Sequence, residues 1–295
     1  MSAIFRFIFH VLSHLPLAGL HLLGRWLGHL AYRLSANYRR HFQHNLALAC
    51  PDADHVTQRA AIAAAGQQVL ELPKIWLRPE AEVAARVLAV TGWPLVEAAW
   101  QRGDGIIFLT PHLGCFEITA QYYAAHCPPE RAITVLYRPP KQRWLAPLIE
   151  GGRQRRQLHL APADLVGVRR LIRALRQKEA VGLLPDQVPG VGEGRWLPFF
   201  GQAAYTMTLA ARLTEVSGTA ALFAWAERLP DGCGYHLHLS APSTPFQGNT
   251  EQRAAAINHE LELLIRQCPG QYLWGYNRYK QPRGADAPPE PGSLA

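Results

Sequence analysis

Apolar and polar positions follow three rhythms along this chain, and each predicts a different kind of element. From Val56 to Leu77, and again from Glu80 to Val90, alanine-rich apolar positions recur at helical spacing. Beyond Gly103 the pattern changes to short unbroken apolar runs. Gly105–Thr110, Ala132–Tyr137 and Ala180–Leu184 are too short for helices and too apolar for half-exposed strands, so they read as buried strands. Before the third comes an amphipathic helix, with Asp164 as N-cap, a stripe of Leu165, Val168, Leu171, Ile172 and Leu175, and Arg169, Arg173 and Arg176 facing away. Thr219–Glu227 and Tyr235–Ser240 form a further strand pair across the turn Pro230-Asp231-Gly232, and a helix over 251–267 follows. Buried strands separated by helices predict an α/β fold with a largely parallel central sheet.

The N-terminus has a rhythm of its own. Phe7 to Gly24 is eighteen residues without a formal charge, about 27 Å of helix against a hydrocarbon core of about 30 Å. His10, Ser13, His14, Pro16 and His21 interrupt it, which favours a helix lying in the interface over one that spans. The bland alternative is an ordinary helix packed on the domain. Arg25, Arg33, Arg39 and Arg40 follow the run and only Arg6 precedes it, an asymmetry that keeps the remainder on the cytoplasmic side. The expected organisation is a membrane-associating segment over 1–34, one domain over 35–280 and a proline-rich disordered tail over 281–295.

Composition narrows the partners. The formal charge is +8, and only Lys74, Lys141, Lys178 and Lys280 of the 30 basic residues are lysine. That favours an anionic partner, although nucleotide bias also enriches arginine, so position must decide which arginines matter. Five cysteines, with no C-x-x-C pair, indicate neither a disulfide framework nor a zinc site. His10/His14 lack the glutamate of a zincin, His236/His238 read as surface or packing residues on a strand, and no metal or cofactor is expected. Gly190–Gly194 opens no helix and reads as a mobile loop. The absence of a Gly-x-Ser-x-Gly elbow argues against a serine hydrolase.

Candidate chemistry sits at the strand ends. His112 follows the first buried strand, Arg138 the second and Asp186 the third. Ligands bind beyond the carboxyl ends of strands in open α/β sheets, so three such residues point to one site. Each taken singly has a mundane reading as a loop, solvated or turn-capping residue. His112 and Glu117 are five apart, about 140° around a helix, so they meet only if His112 lies in the Pro111–Gly114 turn before a helix carrying Glu117. They are then a general base and its orienting acid. Cys115, inside the motif, is the rival nucleophile and is read as space-filling.

These residues resemble the lipid A biosynthesis lauroyl/myristoyl acyltransferases, a branch of the His-x4-Asp/Glu acyltransferase superfamily. The resemblance runs from about Asn37 to Lys280. It rests on His112-Leu-Gly-Cys-Phe-Glu117, Tyr137-Arg-Pro139, Gly152-Arg-Gln-Arg155, Leu184-Pro-Asp-Gln187, Leu197-Pro-Phe-Phe-Gly201 and Gln271-Tyr-Leu-Trp274 in family order, with His44-Asn-Leu46 and Cys50-Pro51 before them. It implies direct transfer of a fatty acyl group from acyl carrier protein, or less often from coenzyme A, to a hydroxyl of a phosphorylated glucosamine lipid, at the cytoplasmic face of the inner membrane. His112 and Glu117 are then catalytic. Arg153 becomes the oxyanion donor fixed by Asp186, Arg138 a contact for substrate phosphate, and Tyr276 and Lys280 further lining of the cleft. The chain departs here from the family's more basic ending. No nucleic-acid partner is called for. The alternatives are an acyltransferase acting on another membrane acceptor, such as a phosphoinositide mannoside or an amino-acid lipid, and a non-catalytic basic lipid-binding protein.

Overall fold

A computed structural model of the protein describes residues 2–140, 142 and 146–290, so the last five positions of the expected tail lie outside the described residues. The N-terminal third is helical: α1 (Ser2–His14), α2 (Leu17–Leu34), α3 (Ala36–Ala49), α4 (His55–Leu77) and α5 (Glu80–Ala84). Then come β1 (Val87–Thr91), α6 (Trp93–Gln101), β2 (Gly105–Leu109), α7 (Phe116–His126), β3 (Ile133–Tyr137), α8 (Ala146–Arg153), β4 (Leu158–Pro162), α9 (Leu165–Arg176) and β5 (Ala180–Leu183). The chain closes with β6 (Gly194–Phe199), β7 (Gln202–Met207), α10 (Leu209–Thr214), β8 (Thr219–Arg228), β9 (Tyr235–Ser240) and α11 (Thr250–Gln267).

Seven strands form one sheet in the order β1-β9-β8-β2-β5-β3-β4, parallel at every pairing except β8 with β9. β6 and β7 pair separately as an antiparallel hairpin. Side chains of β2 divide between two cores, as strand alternation requires. Ile107 and Leu109 face the side covered by α9 and α11, while Ile106 and Phe108 face the side covered by α6 and α7. Asp164 caps α9 as its sequence predicts, its carboxylate accepting from the Gly167 N–H at 2.9 Å.

Two expectations change. Glu80–Val90 is not one helix: after the five residues of α5 the chain becomes the edge strand β1, parallel to β9. Val87, Val90 and Thr91 are β-branched, and a partner strand about 150 residues later decides what the local alanine-rich pattern cannot. The N-terminal run is likewise broken, at Leu15-Pro16, into two helices. Among the described residues no helix is long and apolar enough to cross a membrane.

α2 packs on α4 through glycine. A Cβ on Gly28 would lie 2.1 Å from the Ile62 carbonyl oxygen, and one on Gly66 2.0 Å from that of Gly24. This close approach buries Leu17, Leu20 and His21. Opposite them Leu22, Leu23, Trp26, Leu27, Leu30 and Leu34 are exposed, as are Ile4, Phe7, Ile8 and Val11 on α1. The segment therefore packs on the domain and still presents an apolar face.

Candidate active site

Strand register builds the site. β2 and β5 are parallel neighbours with Leu109 opposite Leu183. His112 and Asp186 each lie three residues beyond that pair, so two similar exits from the sheet bring them together. His112 Nδ1 lies 2.7 Å from Asp186 Oδ1, and the His112 backbone N–H donates to Oδ2 at 2.8 Å. Tyr272 donates its hydroxyl to the same carboxylate at 3.1 Å. Burial alone would raise the pKa of Asp186, but the charge of His112, these bonds and that of Tyr272 hold it below the usual carboxylate range. A carboxylate only accepts, so Nδ1 carries the proton and Nε2 carries the lone pair. The Gln187 amide nitrogen meets Nε2 at 3.0 Å.

Glu117 is elsewhere. It stands in the first turn of α7 and accepts from Arg153, Nε at 2.9 Å and the shorter Nη2 bond completing a fork. The Trp76 indole N–H donates to the same carboxylate at 3.0 Å, and the Arg153 guanidinium lies 5.2 Å from the centre of the Trp76 ring. Gly152 lets this happen, since a Cβ there would lie 2.6 Å from that of Trp76. Arg155 caps the end of α4 by donating to the Ile75 and Trp76 carbonyls at 3.1 and 3.0 Å. The Gly-Arg-x-Arg segment therefore positions both Glu117 and its tryptophan. His112 does lie in the turn before α7, as the spacing requires, but the acid on its ring is Asp186 and not Glu117.

The turn itself is pinned from behind. Gly114 has φ +60°, and a Cβ would lie 1.9 Å from the Ala226 carbonyl oxygen, so only glycine fits. Backbone bonds run from Gly114 N to Gln271 O, from Cys115 N to Ala226 O and from Leu273 N to His112 O. Arg228 donates Nη2 to the Gly114 carbonyl at 2.9 Å and, with Nε, grips Glu71. Tyr235 and His21 also meet Glu71, each at 3.1 Å. Burial of Glu71 opposes its ionisation, yet Arg228 and His21 draw its pKa down to about 2. Cys115 is buried in this layer. Its thiol is pushed well above the usual cysteine range by burial and then by Glu71, which makes it a poor nucleophile.

Tyr276 and Lys280 do not line the cleft. The Tyr276 hydroxyl accepts from the Val188 N–H at 3.0 Å, and the exposed Lys280 ammonium lies 5.1 Å from the centre of the Tyr276 ring. The aromatic segment serves the site through Tyr272 instead, and Asn45 of the His44-Asn-Leu46 motif holds it by donating to the Trp274 and Tyr276 carbonyls at 2.7 Å.

His112, Glu117, Arg138, Arg153 and Gln187 line a cavity of about 300 Å³. Its remaining walls are mostly apolar, including Phe108 and Tyr123, Trp93 of α6, and Leu237 and Leu239 of β9. An imidazole whose Nε2 lone pair is met, among the described residues, only by the Gln187 amide thus stands at the edge of a cavity suited to an aliphatic chain.

The sequence model of the bacterial lipid A biosynthesis acyltransferases matches residues 3–281. The chain belongs to this family. It is an acyltransferase of lipid A biosynthesis. It is 29% identical over 278 residues to the lipid A biosynthesis lauroyltransferase of Escherichia coli K12, covering 92% of this chain and 88% of that protein. The palmitoleoyltransferase of the same organism is 26% identical over 271 residues, covering 90% and 86%. A lipid A biosynthesis acyltransferase of Haemophilus influenzae is 28% identical over 280 residues, covering 90% and 86%. What sequence reasoning missed is the pairing of Asp186 with His112, the contact of Gln187, and the Trp76 and Glu71–Arg228 supports. Only the first had a signal, the matched spacing of two residues beyond two strand ends.

Proposed function

We propose that the enzyme moves a fatty acyl group from acyl carrier protein to a hydroxyl of a phosphorylated glucosamine lipid, at the cytoplasmic face of the inner membrane. The observation that carries this reading is His112, tautomer fixed by Asp186, with Nε2 directed to a mainly apolar cavity that would hold the acyl chain. The acceptor hydroxyl replaces the Gln187 amide on Nε2. As its oxygen bonds to the thioester carbon, its proton passes to Nε2, and Asp186 stabilises the resulting imidazolium. The C–S bond then breaks and the leaving thiolate takes the proton back, so no acyl-enzyme forms. Arg153 uses Nε and Nη2 on Glu117 and keeps Nη1 for the oxyanion of the tetrahedral intermediate. Glu117 is thereby the residue that aims Arg153. Arg138, exposed at the cavity edge, is placed for an acceptor phosphate.

The donor and the membrane have their own support. α9 begins two residues after Ala163 of the cavity lining, directly after its cap Asp164. It exposes Arg169, Arg170, Arg173 and Arg176, which form no ion pair among the described residues. An acidic carrier protein would match that face. The apolar faces of α1 and α2, with Arg6, Arg25 and Arg33 on the same helices, suit an interfacial position at an anionic bilayer.

To test this, purified enzyme is incubated with acyl carrier protein charged with several chain lengths and with a panel of lipid acceptors, and the products are weighed. Gain of one acyl group on a phosphorylated glucosamine lipid, absent in His112→Ala, is the expected result. Gain only on a glycerolipid, a phosphoinositide mannoside or an amino-acid lipid would overturn the acceptor and leave the chemistry standing.

A further inference from the structure

We propose that Glu227, His236 and His238 form a binding site for a transition-metal ion of the zinc class, on the face of β8 and β9 turned away from the cavity. The strand pleat assembles the site. On β9, Tyr235, Leu237 and Leu239 are buried toward the α6 and α7 side, and the last two line the cavity, so His236 and His238 project from the other face. On the antiparallel neighbour, Glu227 stands opposite His236 and Trp225 opposite His238. The sequence shows only a His-x-His pair on a strand, which taken alone reads as packing. The carboxylate that completes the set arrives through register.

One donor atom from each of the three residues lies within 4.8 Å of the others, and all three side chains are half-buried, open to an entering ion. His238 Nε2 and Glu227 Oε2 are 3.1 Å apart. Two donors at zinc-ligand distance on a tetrahedral ion are about 3.3 Å apart, so this pair already stands at ligating separation. His236 has about 1.5 Å or less to close, within reach of side-chain rotation. Its ring centre is 4.0 Å from that of His238.

The rings are also held. Trp225 stacks on His238 with ring centres 4.3 Å apart and 13° between planes, which limits the rotamer freedom that coordination would have to remove. Thr91 Oγ1 on β1 lies 2.8 Å from His236 Nε2 and is placed as the outer partner that metal-binding imidazoles ordinarily have. Two imidazoles and one carboxylate suit zinc and its neighbours and leave a fourth position for water. An ion here would clip the β8–β9 pair to β1, behind the strand whose other face closes the cavity.

The test uses the full chain, stripped with chelator and titrated with Zn²⁺ by calorimetry and with Co²⁺ by visible d–d absorption. One ion per chain is expected. Glu227→Gln and His238→Asn should each weaken it by more than the about 10–100-fold expected for Thr91→Val, which removes only an outer partner. Zinc-edge X-ray absorption of the wild-type protein gives a readout independent of how the variants fold, and nitrogen and oxygen ligands without sulfur are expected. The exposed Cys233 and the His10/His14 pair are the competing sites. Absence of saturable binding, a sulfur ligand, binding that survives the Glu227 and His238 variants, or binding lost instead in His10→Ala would each overturn the proposal.

Discussion

Asp186→Asn separates the two possible partners of His112 most sharply. The carboxylate accepts from His112 N, His112 Nδ1 and Tyr272 Oη, and it is 1% exposed. An amide of the same shape keeps one oxygen, which can serve the backbone N–H and the tyrosine. Its NH₂ then faces Nδ1, and a donor there favours the tautomer with the proton on Nε2. The lone pair that must take the hydroxyl proton is lost, together with the charge that stabilises the imidazolium. General-base catalysis contributes about 10²–10⁴-fold, and the variant should lose about 10³-fold in kcat, or about 4 kcal/mol of transition-state stabilisation. KM for both substrates should change by less than about threefold, because Asp186 is not among the residues that line the cavity. The assay is steady-state acyl transfer with unfolding curves of both proteins. A loss below tenfold with intact folding would refute the assignment of Asp186 and return the orienting role to Glu117.

Four further outcomes are expected. Glu71→Gln leaves Arg228 buried beside a neutral amide, and urea unfolding should show a loss of about 3–5 kcal/mol. Because the folded pKa of Glu71 is depressed to about 2, its contribution is fully present above the ordinary carboxylate range and is lost as pH falls through about 2. Acid titration of the wild type should therefore lose about 3 kcal/mol that the Glu71→Gln protein does not. Gly114→Ala should abolish turnover or folding, since its Cβ would overlap the Ala226 carbonyl, whereas Cys115→Ala should keep turnover within about threefold at some cost in stability, read by kcat and melting temperature together. Trp26→Asp with Leu30→Asp should cut binding to anionic vesicles at least about tenfold in a sedimentation assay without lowering stability, both side chains being more than half exposed.

Much of the sheet was legible because β2 and β5 are buried on both faces, β3 is buried at Ile133 and Thr134 and half-buried beyond, and all three carry unbroken apolar runs. The edge strands were not. β1 alternates weakly and is mostly exposed, and β4 ends in Pro162, so neither carries a core pattern and each exists because a neighbour offers backbone partners. The same limit governs the site. His112, Arg138 and Asp186 could be named from type and position at strand ends and Arg153 from the family resemblance, and the structure gathers them at one cavity or its edge. Which acid serves which base depends on the register of β2 against β5, which the matched spacings beyond the two strand ends agree with but do not fix. Tyr276 and Lys280 illustrate the converse, a family-ordered segment whose nearest-looking polar groups are not the ones that reach the site.

The N-terminal helices also support the candidate site, and this changes what their removal can mean. Phe9 of α1 packs on Trp76, ring centres 5.9 Å apart, and Trp76 donates to Glu117. Lys74 donates to the Ser13 carbonyl at the end of α1. From α2, His21 reaches Glu71, which holds Arg228, which in turn donates to the carbonyl of Gly114 in the turn that carries His112. Two separate chains of contact therefore run from these helices, one to the Glu117–Arg153 fork and one to the turn carrying His112. Deleting Met1–Tyr32 would strip the apolar face and both supports at once, so a fall in activity on bilayer-embedded acceptor would not distinguish lost attachment from a loosened site. Substitutions confined to the exposed positions of α2 leave Leu17, Leu20, His21 and the glycine contacts with α4 in place. They ask about the membrane alone. If the exposed-face variant retains full activity on detergent-dispersed acceptor while Glu71→Gln does not, the two roles of the segment are separable, as the opposite faces of α2 imply.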